Sequence, residues 1–203
     1  MKSKECFLSV IMLFIFSNIF SQAVERETVP ARHFVGSTMF VLASPILSPS
    51  PKYYQLNYGY RLTPKDVLSI EAITWQYQGP LGRSYGSESD DSDFPGAVRA
   101  FGVGLAYKHF LWKGSYTQIH VTPMFQNYLD EEDHKIKSGF QLFNTLRFGY
   151  HFDLFKGRFF IEPSIAFTYW PINTNLPDSF QVVEDQWNNY FLFEPGLHFG
   201  FNF

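Results

Sequence analysis

Ten residues of this 203-residue chain could take part in acid–base or ion chemistry: the cations Arg61, Lys108 and Arg147, the carboxylates Glu71, Asp153, Glu162 and Glu194, and the imidazoles His120, His151 and His198. Each belongs to the small or polar alternate set of a stretch whose other set is bulky and apolar. Each therefore faces the same way as neighbouring glycine, serine and threonine. Three cations against four carboxylates nearly cancel, as groups buried together must, because an unpaired buried charge is costly. Two chemistries are open to such a set, a relay of protons or ions and a packed salt-bridge network. A narrow enclosing structure favours the network.

Three further constellations carry less. Glu88–Asp93 (ESDDSD) puts four acids close together, yet it lacks the central glycine and the distant glutamate of an EF-hand, so a solvated acidic loop is expected and no metal site. His109 stands on an apolar set beside a tight turn, with no serine on its face. His134 and Ser138 share a charged loop without a third group to orient them. No catalytic residue and no cofactor is expected from these patterns.

The elements that must position the ten residues read as strands. Period-two alternation runs through His33–Ala43, Lys52–Leu62, Val67–Tyr77, Val98–Phe110, Tyr116–Leu129, Phe140–Phe155, Arg158–Trp170 and Asn188–Phe203. Short turns join the second to the third stretch (Thr63–Asp66), the fourth to the fifth (Leu111–Ser115) and the sixth to the seventh (Lys156–Gly157). Long connections fall between: Ser44–Pro51 with its three prolines, Gln78–Gly96, Asp130–Gly139 and Pro171–Trp187.

The last stretch shows the pattern most plainly. Phe191, Phe193, Pro195, Leu197, Phe199, Phe201 and Phe203 alternate with Leu192, Glu194, Gly196, His198, Gly200 and Asn202. A final strand with a wholly greasy face needs an apolar cover. Volume decides which way that face looks. An eight-stranded barrel is just wide enough inside for its own side chains, so ranks of Phe, Leu and Tyr from every strand must face outward, where only hydrocarbon accepts them. The expected fold is all-β, an eight-stranded antiparallel up-and-down transmembrane barrel, with long loops at one end and short turns at the other. Trp75, Tyr77, Tyr128, Tyr169, Trp170, Trp187 and Tyr190 fall at loop-side strand ends, and Trp112 and Tyr116 flank a turn. They are expected to form two interfacial girdles.

Composition agrees. Aromatic residues make up 20% and charged residues 17%, with 24 Phe and 12 Tyr, while a mean hydropathy of -0.13 means the apolar residues are dispersed. A membrane helix would concentrate them. The one apolar run, Cys6–Phe20 behind Lys2 and Lys4, has the layout of a signal peptide, expected over residues 1–22 and followed by a polar leader over 23–32 and the barrel over 33–203. Loss of Lys2, Lys4 and Glu5 removes a net +1 and takes the formal charge from -3 to -4. With no basic cluster, nucleic acid is not an expected partner.

In pattern and in its terminal strand the chain resembles small outer-membrane barrels of the OmpA and OmpX type over residues 33–203. The resemblance implies an outer-membrane location in a Gram-negative bacterium, and contact with outer-membrane lipid and lipopolysaccharide. It also implies a monomer assembled by the barrel-assembly machinery, which would read Phe199, Phe201 and Phe203. A structural or surface-recognition role through the long loops is expected; an enzyme acting on lipid A or phospholipid and a narrow channel are the alternatives. A soluble domain beyond Phe203 would suggest a cell-wall anchor, and none is expected.

Overall fold

The computed structural model describes residues 31–46, 51–83 and 93–203. The expected signal run, the leader as far as Pro30 and the acidic stretch Glu88–Asp93 apart from Asp93 lie outside the described residues. The chain forms β1 (His33–Thr38), a short helix α1 (Phe40–Ala43), a 3-10 turn (Ser44–Ile46), β2 (Tyr54–Arg61), β3 (Asp66–Tyr77), β4 (Ala97–Trp112) and β5 (Ser115–Leu129). Then follow β6 (Lys135–Tyr150), β7 (Phe152–Leu154), β8 (Phe159–Asn173), α2 (Asp178–Glu184) and β9 (Tyr190–Asn202). Neighbours pair antiparallel in chain order, and β9 returns to β1 with Phe34 opposite Asn202 and Thr38 opposite His198. Only His151 separates β6 from β7, and both pair with β8, so they act as one strand. The result is an all-β antiparallel ring of eight strands.

The alternation sorts the side chains as expected through most of the wall. On β4, Phe101, Val103, Leu105 and Tyr107 are exposed while Ala100, Gly102, Gly104, Ala106 and Lys108 are buried. Closure removes sheet edges, so what remains of the outer surface is a band of bulky apolar side chains. Large inward rings fit only where the facing wall has no side chain. A Cβ on Gly59 would lie 1.9 Å from the Phe34 ring, and one on Gly200 would lie 2.4 Å from that of Phe160.

Five local expectations are corrected. The first strand stops at Thr38 instead of Ala43, because Met39–Leu42 is apolar at every position and gives a strand no polar face; the chain turns into α1. β6 starts at Lys135, which shortens the charged loop to Asp130–His134. The connection expected as Lys156–Gly157 spans Phe155–Arg158, since Leu154 pairs with Phe159. The stretch Pro171–Trp187 is only partly loop: β8 runs on to Asn173, and α2 follows. In β9, Phe191 pairs with Thr168 and Glu194 with Ala166, so an extra residue is inserted between them, and Phe193 takes a left-handed φ of 63°. Phe191 thus shares the inward face of Thr168 and leaves the greasy set.

The expected girdles are also corrected. Tyr169, Tyr190 and Trp112 are exposed, but Tyr116, Tyr128 and Trp170 are each 1% exposed, and Trp75, Tyr77 and Trp187 are partly buried. Strand parity explains this: Trp75 and Tyr77 share the face of Glu71, Tyr128 that of Gln126, and Trp170 that of Thr168. The interior is therefore layered. Val67, Phe110 and Tyr116, with Phe34, fill the turn end. At the loop end Phe94, Val98, Tyr128, Leu176 and Phe180 cluster, with Tyr77 and Val183 packed against them.

Candidate functional site

Between the two apolar layers lies the polar one. Lys108 leaves β4 from a position opposite Gln118 and reaches across to β8, where its Nζ stands 2.5 Å from Glu162 Oε1. The same carboxylate oxygen lies 2.7 Å from His151 Nδ1, and His151 Nε2 lies 3.2 Å from Asp153 Oδ1. Lys108, Glu162 and His151 are nearly enclosed, whereas the Asp153 side chain is 60% exposed at the turn end. The Lys108 ammonium also sits 4.5 Å from the Tyr116 ring centre, which adds a cation–π contact. One buried carboxylate thus bridges β4, β8 and the β6–β7 junction.

The remaining predicted residues are placed less tightly. Glu71 on β3 accepts a 2.5 Å hydrogen bond from Gln55 Nε2 and stands 3.7 Å from His120 Nε2. Arg147 on β6 lies over Gly196 and donates from Nη1 to Ser164 Oγ at 3.0 Å. Glu194 faces inward on β9 opposite Ala166. Arg61 holds its guanidinium 5.4 Å from the Phe110 ring centre. His198 lines the same cavity as Arg147 and His120. That cavity has a volume of about 20 Å³, and a second one beneath Phe110 about 10 Å³. A site needs about 10–15 Å³ for a single water, so these two voids admit no more than one or two molecules each.

The loop end is closed twice. Trp170 stacks on Phe143 with ring centres 6.0 Å apart, and Trp75 meets Phe143 edge-on at 5.5 Å. Above them α2 lays Phe180, fully buried, against Phe94 at 4.8 Å and Tyr128 at 5.6 Å. Residues 180 and 183 fall on one face of this seven-residue helix, which is too short to persist without that packing. Burial of such a ring contributes about 1.5–3 kcal/mol. Glu184, at the end of α2, accepts a 3.3 Å bond from Asn173 Nδ2, and burial pushes its carboxyl above the ordinary range. The exposed side of the helix carries Asp178, Ser179, Gln181, Val182 and Asp185.

Sequence reasoning missed one pairing. The β3–β4 register sets Asp66 opposite His109, with Oδ1 and Nδ1 2.7 Å apart, and Tyr107 donates to the same oxygen at 2.6 Å. Asp66 is far in sequence from Tyr107 and His109, and only the register joins it to them. Among the described residues no serine hydroxyl bonds to His109. Asp130, Glu132 and His134 lie close enough to hold a cation, but two of the three are exposed; Asp130 Oδ1 already accepts from the Glu132 and His134 backbone N–H groups. The three terminal aromatics lie on the closing seam. Phe201 pairs with Val35, Phe199 with Ser37, and Phe203 exchanges backbone hydrogen bonds of 2.9 and 3.0 Å with His33.

Comparison with protein families, with curated proteins and with solved structures found no match for this chain.

Proposed function

We propose that this chain is a monomeric outer-membrane β-barrel whose filled lumen braces the wall and whose capped loop end is a surface for recognition outside the cell. The observation that supports it is the polarity of the wall: residues such as Val103 and Leu105 stand 60% and 68% exposed on the outside, while Glu71, Lys108 and Glu162 are buried within. A water-soluble barrel keeps the opposite arrangement, and an apolar band of this extent needs hydrocarbon around it. Outer-membrane lipid and lipopolysaccharide are then its surroundings, and the strand holding Phe199, Phe201 and Phe203 is the segment offered to the barrel-assembly machinery. Recognition falls to the exposed side of α2 and to the connection between β3 and β4. The test is fractionation of cells expressing the chain, with gel mobility compared before and after heating. Outer-membrane recovery with a heat-dependent shift is expected, and recovery as a soluble periplasmic protein overturns the reading.

A further inference from the structure

The two ends of the barrel carry opposite charge. At the turn end stand six cations, Arg32, Arg61, Lys65, Lys113, Lys156 and Arg158, against Asp66 and Asp153. At the loop end, Lys52, Arg83, Arg99, Lys135 and Lys137 face eight acids among the described residues, Asp93, Asp130–Asp133, Asp178, Glu184 and Asp185. The turn end is thus +4 (6 − 2) and the loop end, among the described residues, -3 (5 − 8). Nor are the two turn-end acids free: Asp66 accepts from Tyr107 and Thr63 and Asp153 contacts His151, whereas all the cations but Arg61 are exposed.

Apolar side chains are interleaved with these cations in the two later turns. Trp112 is 71% exposed beside Lys113, whose ammonium lies 4.5 Å from the indole ring, and Phe155 is 78% exposed beside Lys156. Lys113, Phe155 and Lys156 have φ of 51°, 48° and 63°, in the left-handed region that favours glycine or asparagine. A turn under no other demand would place glycine there. Keeping two lysines and a phenylalanine instead costs stability, which points to a task for the side chains themselves.

Resting on the membrane reading above, we infer that this rim is a docking surface for anionic phospholipid headgroups, with Lys65, Lys113, Lys156 and Arg158 meeting phosphates while Trp112 and Phe155 enter the interface below them. Charge complementarity selects this occupant, because each basic residue near an anionic leaflet gains attraction from it and the adjoining rings sit where headgroups meet acyl chains.

The experiment embeds the folded barrel in phosphatidylcholine bilayers and uses electron spin resonance to compare motionally restricted spin-labelled phosphatidylglycerol with spin-labelled phosphatidylcholine. At low salt an enrichment of about two- to fourfold in the anionic label is expected, averaged over the lipid shell and falling toward unity in high salt. The variant K65Q/K113Q/K156Q/R158Q should bring the ratio to unity, and K135Q/K137Q at the other end should leave it unchanged. A ratio of unity for the unaltered protein overturns the inference, as does an equal loss in both variants. A restricted component with no headgroup preference defeats only this inference. Absence of restricted lipid of either kind defeats the membrane reading itself.

Discussion

Removal of one carboxylate tests whether the lumen is a dry brace. Glu162 is 4% exposed and accepts from both Lys108 and His151, so Glu162→Ala strands the Lys108 ammonium among Phe34, Tyr116 and the inner wall. Breaking a buried ion pair on one side costs about 3–5 kcal/mol. With a urea slope of about 2 kcal/mol per molar, the unfolding midpoint should fall by about 1.5–2.5 M. Lys108→Met combined with Glu162→Leu removes both charges and should recover most of that loss, since two apolar side chains then fill the space. Glu131→Ala, in the exposed loop, should change stability by less than about 0.5 kcal/mol. Glu71→Ala serves as an internal comparison. Among the described residues no lysine or arginine pairs with Glu71, so its loss removes one of the two hydrogen bonds donated by the Gln55 amide, which keeps Asn57, at about 0.5–1.5 kcal/mol. The assay is urea unfolding in detergent or vesicles, followed by heat-dependent mobility. A Glu162→Ala midpoint equal to that of Glu131→Ala would refute the reasoning, because the stranded lysine would then have water around it.

Three other outcomes follow from the same structure. Because burial raises the Glu184 carboxyl, the folded form holds that proton more tightly than the unfolded one. Docking of α2 is therefore strongest below the ordinary value of 4.5 and weakens as pH rises through the displaced value; amide exchange in the helix, corrected for intrinsic rates, should accelerate toward neutral pH in the native protein and not in Glu184→Gln. Deletion of Phe203 removes two backbone bonds to His33 and should lower the folded yield in cells while leaving refolding into detergent nearly intact, and equal yields in cells would take the terminal residue out of assembly. Planar-bilayer recordings should show no steady single-channel current, because Trp75, Phe143 and Trp170 at the loop end and Val67, Phe110 and Tyr116 at the turn end fill the interior; a reproducible ion-selective current abolished by Glu71→Ala would restore the channel alternative.

Most of the wall was legible because period two is a geometric necessity of a strand, and a barrel doubles the signal by giving its faces opposite environments. The clustering of Lys108, Glu162, His151 and Asp153 was also legible, since all four lie on inward positions within a few residues of short turns. Their individual pairing was not, and Glu71 shows why: it lies at a similar depth on β3, yet its nearest partners are Gln55 and His120. Partner choice depends on where each strand sits around the ring and how far it is staggered, and alternation carries neither. The same limit hid the contact of Asp66 with His109. The bulge in β9 was concealed by the aromatics themselves, because Phe191 and Phe193 keep period two in the sequence while the inserted residue changes which of them faces inward.

The inward aromatics at the loop end were within reach of parity alone, since Trp75 is four residues from Glu71 and Trp170 two from Thr168. The expectation of an outer girdle overrode that arithmetic. The consequence is more than a reassignment, for it changes what the charges can be for. An ion entering from the loop end would have to part α2 and then pass Trp75, Phe143 and Trp170; from the turn end it would meet Phe34, Phe110 and Phe160. Passing the loop-end rings strips its water before any charged group can replace it. A conducting path places its charges at the mouths, where they exchange with solvent, whereas this lumen holds Lys108 and Glu162 between two apolar layers. In that setting attraction between opposite walls is little screened, and a lysine joined to a glutamate across the lumen ties distant strands together. On the proposed reading, the polar layer holds the ring to one diameter, and the aromatic layers keep it dry enough to do so.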